Sequence, residues 1–190
     1  MILIEAFPQV GHSAKDGAPL HSWETRILPF IAYDSKVIDL KRPWNDPVNL
    51  KHFQAVVPEF INPDLRTAEF VNSEGLGLSH YAANCHTLGG NQKRSLADFQ
   101  GKGSFTILVG EINANFQPWG QPVNWRDPAR GINKSPYGFG GPINSGGAQF
   151  VMADGSVRFI SERVSPDVLR ALSNPDAEGA FDPAAIPELK

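Results

Sequence analysis

Cys85 and the neighbouring His86 are the residues whose types best suit nucleophilic chemistry, and His80 lies shortly before them. A thiol becomes a nucleophile when a base such as an imidazole faces it and takes its proton. The segment "LSHYAANCHTL", residues 78–88, alternates loosely like a strand, so adjacent side chains point to opposite faces. Cys85 and His86 therefore cannot face each other directly in this strand. We predict a buried structural cysteine, no catalytic residue and no enzymatic activity.

Residue types that bind metals are present, but they are dispersed along the chain. His12, His21 and His52 lack metal-ligand spacing, and the single Cys85 excludes both an internal disulfide and a zinc site built from several cysteines. The acidic residues form no dense loop of the kind that supplies calcium with about six to eight oxygens. We predict no metal and no other cofactor. A zinc site assembled from dispersed residues is the open alternative.

Residues 113–147 are rich in proline, glycine and aromatic side chains, a composition too aromatic for a disordered linker. We predict a long ordered loop that packs on a sheet or is exposed to a partner. Its rings could stack on a sugar or fill a protein interface, and packing inside the loop is the alternative. The candidate ligand-binding residues, in an aromatic loop over 113–140, are Trp119, Trp125, Tyr137 and Phe139.

Three short helices must position these residues, and they are predicted from capping residues and from apolar residues at helical spacing. Ser22 is the expected N-cap of the first helix, Pro29 ends or kinks it, and Ser165-Pro166 begins the third. The second helix spans 48–57. The side chains expected to face the core are Trp23, Ile27 and Phe30 or Ile31 in the first helix, Leu50, Phe53 and Val57 in the second, and Val168, Leu169 and Leu172 in the third.

A buried strand and a hairpin are predicted in the second half of the chain. The run "SFTILVGEI", residues 104–112, is apolar on both faces, as in a strand covered on both sides. Its Glu111 is either exposed at the strand end or buried and paired with an arginine such as Arg158. Asp154-Gly155 between alternating apolar runs predicts strands 149–153 and 156–160, joined by a two-residue turn.

This two-residue turn fixes an expected register for the hairpin. Met152 would pair with Val157 and Phe150 with Phe159, so these four side chains would share the core face. Asp154 would then be a turn residue and not part of an acidic site. Aspartate tolerates a positive φ, and its carboxylate accepts a hydrogen bond from the backbone two residues further on.

The composition fits one domain with a substantial core, since 41% of the 190 residues are hydrophobic. The net charge is −3 and the longest basic runs are pairs, so no nucleic-acid partner is expected. No apolar run approaches the roughly 20 residues that a membrane helix needs. We predict a single domain over 1–173 and a C-terminal tail over 174–190 that is rich in proline, alanine and acidic residues.

Several stretches occur together in the order and approximate spacing of a known family. They are "LHSWETRILPFI" (20–31), "IDLKRPWNDPVN" (38–49), "GSFTILVGEI" (103–112), "NWRDP" (124–128), "NSGGAQFVMADGSVRFI" (144–160) and "SPDVLRAL" (165–172). The chain resembles the planctomycete-type family of prepilin-like secreted proteins, whose members carry a C-terminal signature of a histidine followed by Asp-Gly. The motif residues are His21, Trp23, Pro43, Trp44, Glu111, Asn144, Asp154, Gly155 and Arg158.

The resemblance implies an α+β fold of the pilin-like or pseudopilin-like type, with an antiparallel sheet, short helices and long ordered loops. It implies an extracytoplasmic setting, in the periplasm or at the cell surface. The implied role is structural or in assembly, within type II secretion or a surface apparatus, with protein partners or self-assembly. The alternative is an extracytoplasmic module that binds a sugar or peptide through the aromatic loop 113–140.

The sequence departs from the family pattern in ways that bear on function. The prepilin helix is missing, and "EAFPQVG" (5–11) looks like the segment that normally follows it. We therefore expect a truncated or shortened chain that would meet a membrane only through the missing helix. Asn144 occupies the position of the family's histidine, which would remove any catalytic or metal role that needs an imidazole.

Overall fold

A five-stranded β-sheet lies at the centre of the fold, in a computed structural model that describes residues 20–31, 33–65, 69–89, 94–99 and 101–176. The strands in these ranges are β1 Leu78–Ser79, β2 Tyr81–Asn84, β3 Ile107–Glu111, β4 Gln117–Pro118, β5 Trp125–Arg126, β6 Gly147–Met152 and β7 Val157–Ser161. The main sheet has the order β5-β2-β3-β6-β7, and its pairs are antiparallel except for the parallel pair β2–β5. Strands β1 and β4 form a separate antiparallel pair. The segment 5–11 and the tail from 177 onward lie outside the described residues.

The helices of the described ranges are short. The α-helices are α1 Trp23–Ile27, α2 Pro47–Leu50 and α3 Pro166–Ser173. Helices of the 3₁₀ type span Leu28–Phe30, Ser35–Val37, Lys51–Gln54, Pro58–Phe60, Leu96–Phe99, Gly103–Phe105 and Pro128–Arg130. Short helices beside a mostly antiparallel sheet confirm the predicted α+β class.

Each α-helix begins at a side chain that accepts a hydrogen bond from the first turn. Ser22 accepts from Thr25 N, Asp46 from Val48 N, and Ser165 from Val168 N, so the predicted first and third helix starts are confirmed. The second predicted helix is wrong in extent, because the α-helix ends at Leu50 and continues as a 3₁₀ helix. The first helix also tightens to 3₁₀ at Leu28, next to Pro29.

This change of helix type alters which side chain of the first helix is buried. Leu28 is fully buried, whereas Phe30, expected in the buried stripe, is exposed. A 3₁₀ helix has about three residues per turn, so its side chains advance through a larger angle per residue than in an α-helix. Of the two alternatives, Phe30 or Ile31, Ile31 packs against the core cluster that contains Leu28, so this alternative is confirmed. The alternative Phe30 assumed an α-helical period throughout and is wrong for that reason.

The hairpin lies where the sequence predicts it, but its register is shifted by one residue. Val151 pairs with Val157, and Phe150 pairs with Arg158 rather than with Phe159. Met152 N donates to Ser156 O at 2.8 Å, so Ala153, Asp154 and Gly155 form a three-residue loop. Gly155 has a φ of 82°, and a residue in this left-handed conformation is typical of the last position of such a loop. The predicted two-residue turn is therefore wrong.

The shifted register sends two of the four expected core side chains to the other face. Phe150 and Met152 are buried, as predicted, and Ile160 is buried with them. Val157 and Phe159 point outward, with exposed fractions of 64% and 45%. A shift of one residue has this effect because side chains alternate along a strand.

The two faces of the sheet are covered to different extents. One face packs in a core cluster with α3 through Leu169 and Leu172, and Phe139 lies in the same cluster. On the other face, Trp23 and Ile27 of α1 pack with Ala83 and Val109. A third cluster, away from the hairpin, is built on Leu28, Ile38, Phe53, Val57, Phe60, Leu76 and Trp119.

The predicted strands in the middle of the chain are confirmed over only part of their length. Strand β2 ends at Asn84, and the chain turns at Cys85 and His86. Ser104 and Phe105 belong to a 3₁₀ helix, so the predicted strand 104–112 begins only at Ile107. It is interrupted by a register shift between Ile107 and Val109.

Candidate functional site

An apolar groove of about 380 Å³ lies between α1 and the incompletely covered face of the sheet. Its lining residues are Trp23, Ile27, Ile31, Glu59, Phe60, Tyr81, Leu88, Leu108, Val109 and Val151. Glu59 is the one charged residue in this lining. A groove of this composition favours an apolar segment over a polar small molecule.

The apolar surface continues beyond the groove to the edge of the sheet. The register places Val109, Val151 and Val157 side by side across three strands. We call Val151, Val157 and Phe159 the open face, because each of these side chains is exposed. Within the described residues, β7 pairs with β6 alone and is an edge of the sheet.

The outward side of β7 carries no charged side chain that would discourage another strand from pairing with it. The intervening Arg158 belongs to the opposite side of the strand, where its guanidinium lies 5.2 Å from the centre of the Phe105 ring. Edge strands of soluble proteins commonly carry lysine, proline, a bulge or an inward-pointing charge that hinders pairing. Arg158 is the charged residue of β7, and it lies on the inward face, whereas the outward face presents Val157 and Phe159.

Helix α1 forms one wall of the groove. Buried hydrogen bonds join this helix to the segment that contains Trp119 and Asn124. Asn124 Nδ2 donates to Glu24 Oε1 and, at 2.9 Å, to Tyr81 O. Trp23 Nε1 donates to Asn124 O at 3.2 Å, and Ser22 Oγ donates to Trp119 O. The "HSWET" and "NW" segments of the resemblance thus join the helix to the sheet. Sequence reasoning did not single out Glu24 or Asn124, although both lie in those segments.

Glu24 is completely buried, and this burial raises the pKa of its carboxyl well above the usual range. Glu24 Oε2 and Asn124 Oδ1 have no hydrogen-bond partner among the described residues. Both atoms are acceptors when the carboxyl is ionised. A proton on Glu24 would change one of the two into a donor.

His21, Pro43 and Trp44 lie where the chain before α1 meets the loop that precedes α2. His21 is buried with its ring 6.4 Å from that of Phe53, and burial lowers the pKa of its imidazole despite the backbone of Arg42 and Asp39. Trp44 N donates to Leu20 O at 2.8 Å. Pro43 O accepts from Asn49 Nδ2 at 3.1 Å. These contacts fix the loop that precedes α2.

Glu111 is buried, which decides one of the two alternatives left by the sequence. Its Oε1 accepts from Asn62 Nδ2 at 2.8 Å, and its Oε2 accepts from Gln149 N at 2.7 Å. Burial raises the pKa of Glu111 despite these bonds. The observed partners are thus an amide and a backbone N–H, and the expected pairing with an arginine such as Arg158 is replaced by these two bonds.

The Asp-Gly corner is a turn, as the sequence predicts. Asp154 Oδ1 accepts from Ser156 N at 2.9 Å and from Ser156 Oγ at 2.6 Å, and these bonds lower the pKa of the carboxyl. Asn144 is exposed with a φ of 67°, a conformation that asparagine adopts more readily than most residues. Asp154 thus stabilises the loop of the hairpin, and Asn144 lies in the turn that precedes β6.

The four candidate aromatic residues do not form one platform. Trp119 is buried and donates from Nε1 to Ala55 O at 2.8 Å, while Phe139 is buried with its ring 5.3 Å from that of Phe150. Trp125 and Tyr137 are exposed by 40% and 61%. The two buried rings lie in separate core clusters and are not accessible to a ligand.

The same loop contributes other residues to a cleft of about 490 Å³, whose lining is partly polar and partly apolar and which we call the polar cleft after its asparagine and glutamate side chains. Its lining residues are Leu65, Glu69, Asn72, Leu78, Asn113, Asn115, Phe116 and Ile143. Asparagine amides and a carboxylate around one phenyl ring are groups that can bind polar ligands. The sequence did not point to these residues, because the stronger aromatic signal lay further along the loop.

Cys85, His86 and Asp127 form a third cluster of candidate functional side chains. The predicted strand excluded a direct approach of Cys85 to His86, and the sequence did not point to Asp127 beside them. The strand ends before Cys85, so the alternation that separated Cys85 from His86 does not apply. One ligand atom from each of the three residues lies within 4.8 Å of the others. Cys85 is only half-buried, so the prediction of a buried cysteine is wrong in this respect, because the residue lies in the turn after β2. Burial, with a smaller effect of Asp127, raises the pKa of its thiol to about 11. The thiol is therefore protonated at neutral pH and is not an activated nucleophile.

None of the helices in the described part of the chain has the length and apolar character needed to cross a bilayer. Comparison of the chain with protein-family models, with curated proteins and with solved structures gives no match. Function is therefore inferred from the geometry of the described residues.

Proposed function

We propose that this chain is a non-enzymatic, pilin-like assembly module of an extracytoplasmic secretion or surface apparatus. The ordered motif stretches support the pilin-like relationship and the extracytoplasmic setting. The single observation that carries the assembly role is the open face, Val151, Val157 and Phe159. It joins the apolar groove at a sheet edge that has no further partner strand among the described residues. Exposed apolar surface that is continuous over several strands is typical of a protein interface.

The occupant of this surface is a second copy of the chain. Two copies of β7 can pair antiparallel about a two-fold axis perpendicular to the sheet, because an edge strand is complementary to itself in that arrangement. Such an axis keeps both open faces on the same side of the joined sheet. Phe159 of one copy then lies next to Val157 and Phe159 of the other. This pairing covers the flanks of side chains that are exposed in the single chain and joins the two open faces into one larger apolar surface.

Sedimentation equilibrium over a range of concentrations tests this proposal. We expect the wild-type chain to form a reversible dimer, and Val157→Lys and Phe159→Lys each to weaken dimerisation at least tenfold, since each places a charge in the interface. The control is Val48→Lys, a comparably exposed valine on α2, which should leave the dimer unchanged. A wild-type chain that remains monomeric, or a dimer that both sheet variants leave intact, would overturn the proposal.

A second candidate function is binding of a sugar or peptide, and the polar cleft is the observation that favours it. Glu69 and Phe116 offer a charged acceptor and a ring across this cleft. Isothermal titration with a panel of disaccharides and short peptides should find a saturable ligand whose affinity falls about tenfold in Glu69→Gln. Absence of binding across the panel, or equal binding by Glu69→Gln, would contradict this function for the cleft.

A further inference from the structure

The turn that follows β2 presents Cys85 and His86 in a fixed arrangement. Asn84 O accepts hydrogen bonds from the backbone of Thr87, Leu88 and Gly89 at 3.0–3.1 Å. Asn84 Oδ1 accepts from His86 N at 3.0 Å. A Cβ atom at Gly89 would lie 2.6 Å from Cys85 Cα, so the turn closes tightly and depends on glycine there. The thiol and the imidazole are therefore carried on an ordered piece of backbone.

Asp127 reaches the same place through the parallel pairing of β5 with β2. Asn84 pairs with Arg126, and Cys85 N donates to Arg126 O at 2.9 Å, which brings Asp127 beside the turn. Asp127 Oδ1 accepts from Ala129 N at 2.9 Å as the cap of the following 3₁₀ helix. This bond orients the carboxylate, and a carboxylate oxygen that accepts one hydrogen bond keeps a second lone pair for a cation.

The spacing of His86 and Asp127 suits a tetrahedral metal ion, and the Cys85 thiol lies close to both. Zinc bonds of about 2.0–2.3 Å to nitrogen, oxygen and sulfur place neighbouring ligand atoms about 3.3–3.6 Å apart. His86 Nε2 and Asp127 Oδ1 are 3.5 Å apart. The Cys85 thiol completes the set, with the three ligand atoms within 4.8 Å of one another.

The types of these groups define the class of cation. Sulfur and imidazole nitrogen favour zinc and related transition metals, whereas magnesium and calcium prefer oxygen ligands throughout. The ion displaces the proton of the Cys85 thiol to solvent, and the resulting thiolate and the Asp127 carboxylate together balance its two positive charges. The side chains of His86 and Asp127 are exposed by 38% and 39%, so an ion and a fourth, water ligand can enter.

We propose that Cys85, His86 and Asp127 bind a divalent cation of the zinc class, with water as the fourth ligand. This site rests on observations that are independent of the apolar groove and of the assembly function. It is a binding property, and no reaction is assigned to it.

Titration of the chelator-treated chain with Co²⁺ tests the site, because a cobalt ion bound to a thiolate absorbs in the near ultraviolet. We expect one ion per chain, displacement of Co²⁺ by Zn²⁺, and no displacement by Mg²⁺. Cys85→Ser should abolish the absorption, and His86→Gln and Asp127→Asn should each weaken binding about tenfold or more. Asp127→Asn keeps a side-chain oxygen that can accept from Ala129 N, so it tests the charge more than the fold.

The matched controls are His52→Gln and Asp154→Asn, which change the same residue types outside the cluster. Both should bind Co²⁺ as the wild type does. The wild-type chain gives a second readout that requires no variant: Zn²⁺ should slow alkylation of Cys85 by iodoacetamide at least tenfold. Absence of thiolate absorption, an alkylation rate that Zn²⁺ leaves unchanged, or controls that lose binding as the cluster variants do would overturn the proposal.

Discussion

Glu24 and Asn124 form a buried acid–amide pair that holds α1 against the sheet. With the carboxyl ionised, Glu24 Oε2 and Asn124 Oδ1 are both acceptors without a partner among the described residues. An unsatisfied buried acceptor costs about 1–3 kcal/mol. With the carboxyl protonated, one carboxyl oxygen becomes a donor, so one fewer buried acceptor is left without a partner. The raised pKa of Glu24 favours this neutral form.

The pH dependence of stability follows from the direction of this shift. The folded state binds the Glu24 proton more tightly than the unfolded chain does, so the contribution of this group is complete below the usual glutamate range. It is lost as the pH rises through the raised folded-state pKa. We expect the free energy of unfolding of the wild-type chain to fall as the pH rises through this range. Urea denaturation at a series of pH values measures it.

Glu24→Gln tests the origin of this pH dependence. The glutamine amide has the shape of the protonated acid, with one oxygen acceptor and an N–H donor in place of the acid proton. The variant should show a flatter pH dependence and be more stable than the wild type at alkaline pH. The control is Glu74→Gln, an exposed glutamate, which should retain the wild-type slope. A wild-type slope in Glu24→Gln would assign the effect to other groups.

At the scale of elements, the hairpin register decides which surface the molecule presents. The three-residue loop makes Ile160 a core residue and leaves Val157 outside. The two-residue turn suggested by Asp-Gly would have placed Val157 in the core. The difference depends on the backbone of Gly155, whose φ of 82° allows the third loop residue.

Two truncations distinguish these registers by their cost in stability. Ile160→Ala should lower the free energy of unfolding by about 2–5 kcal/mol, as for other buried aliphatic side chains. Val157→Ser should change it by no more than about 0.5 kcal/mol, since the site is exposed. Urea denaturation at a concentration where the chain is monomeric gives both values. The reverse order of costs would favour the two-residue turn.

Helix starts could be read from the sequence, because each depends on a few adjacent residues. Ser22 and Ser165 cap their helices through bonds to residues only three positions away. The turn role of Asp154 was predictable for the same reason, since its partner is Ser156. The exposure of Phe30 could not be predicted in this way, because it depends on the change from α-helix to 3₁₀ helix at Leu28, next to Pro29.

At the scale of the whole molecule, the candidate sites depend on contacts between distant segments, and these were not readable from the sequence. Asp127 lies beside Cys85 because β5 pairs parallel with β2, and no local sequence pattern predicts this pairing. Trp119 is buried because the loop folds back onto Phe53, with ring centres 4.6 Å apart. The open face required the hairpin register and the position of α1 to be known together. Sequence patterns thus located the elements, and long-range packing decided which of their residues meet.

Asn84 gives the proposed cation site a connection to the far end of the chain. Its Nδ2 donates to Ile107 O at 2.8 Å and to Ser173 O at 2.7 Å, so one amide joins the turn after β2, the strand β3 and the end of α3. An ion that rigidifies this turn would reduce transient opening of the whole junction. The amide hydrogens in the last turn of α3 would then exchange with solvent more slowly in the zinc-loaded chain, although none of them touches the metal.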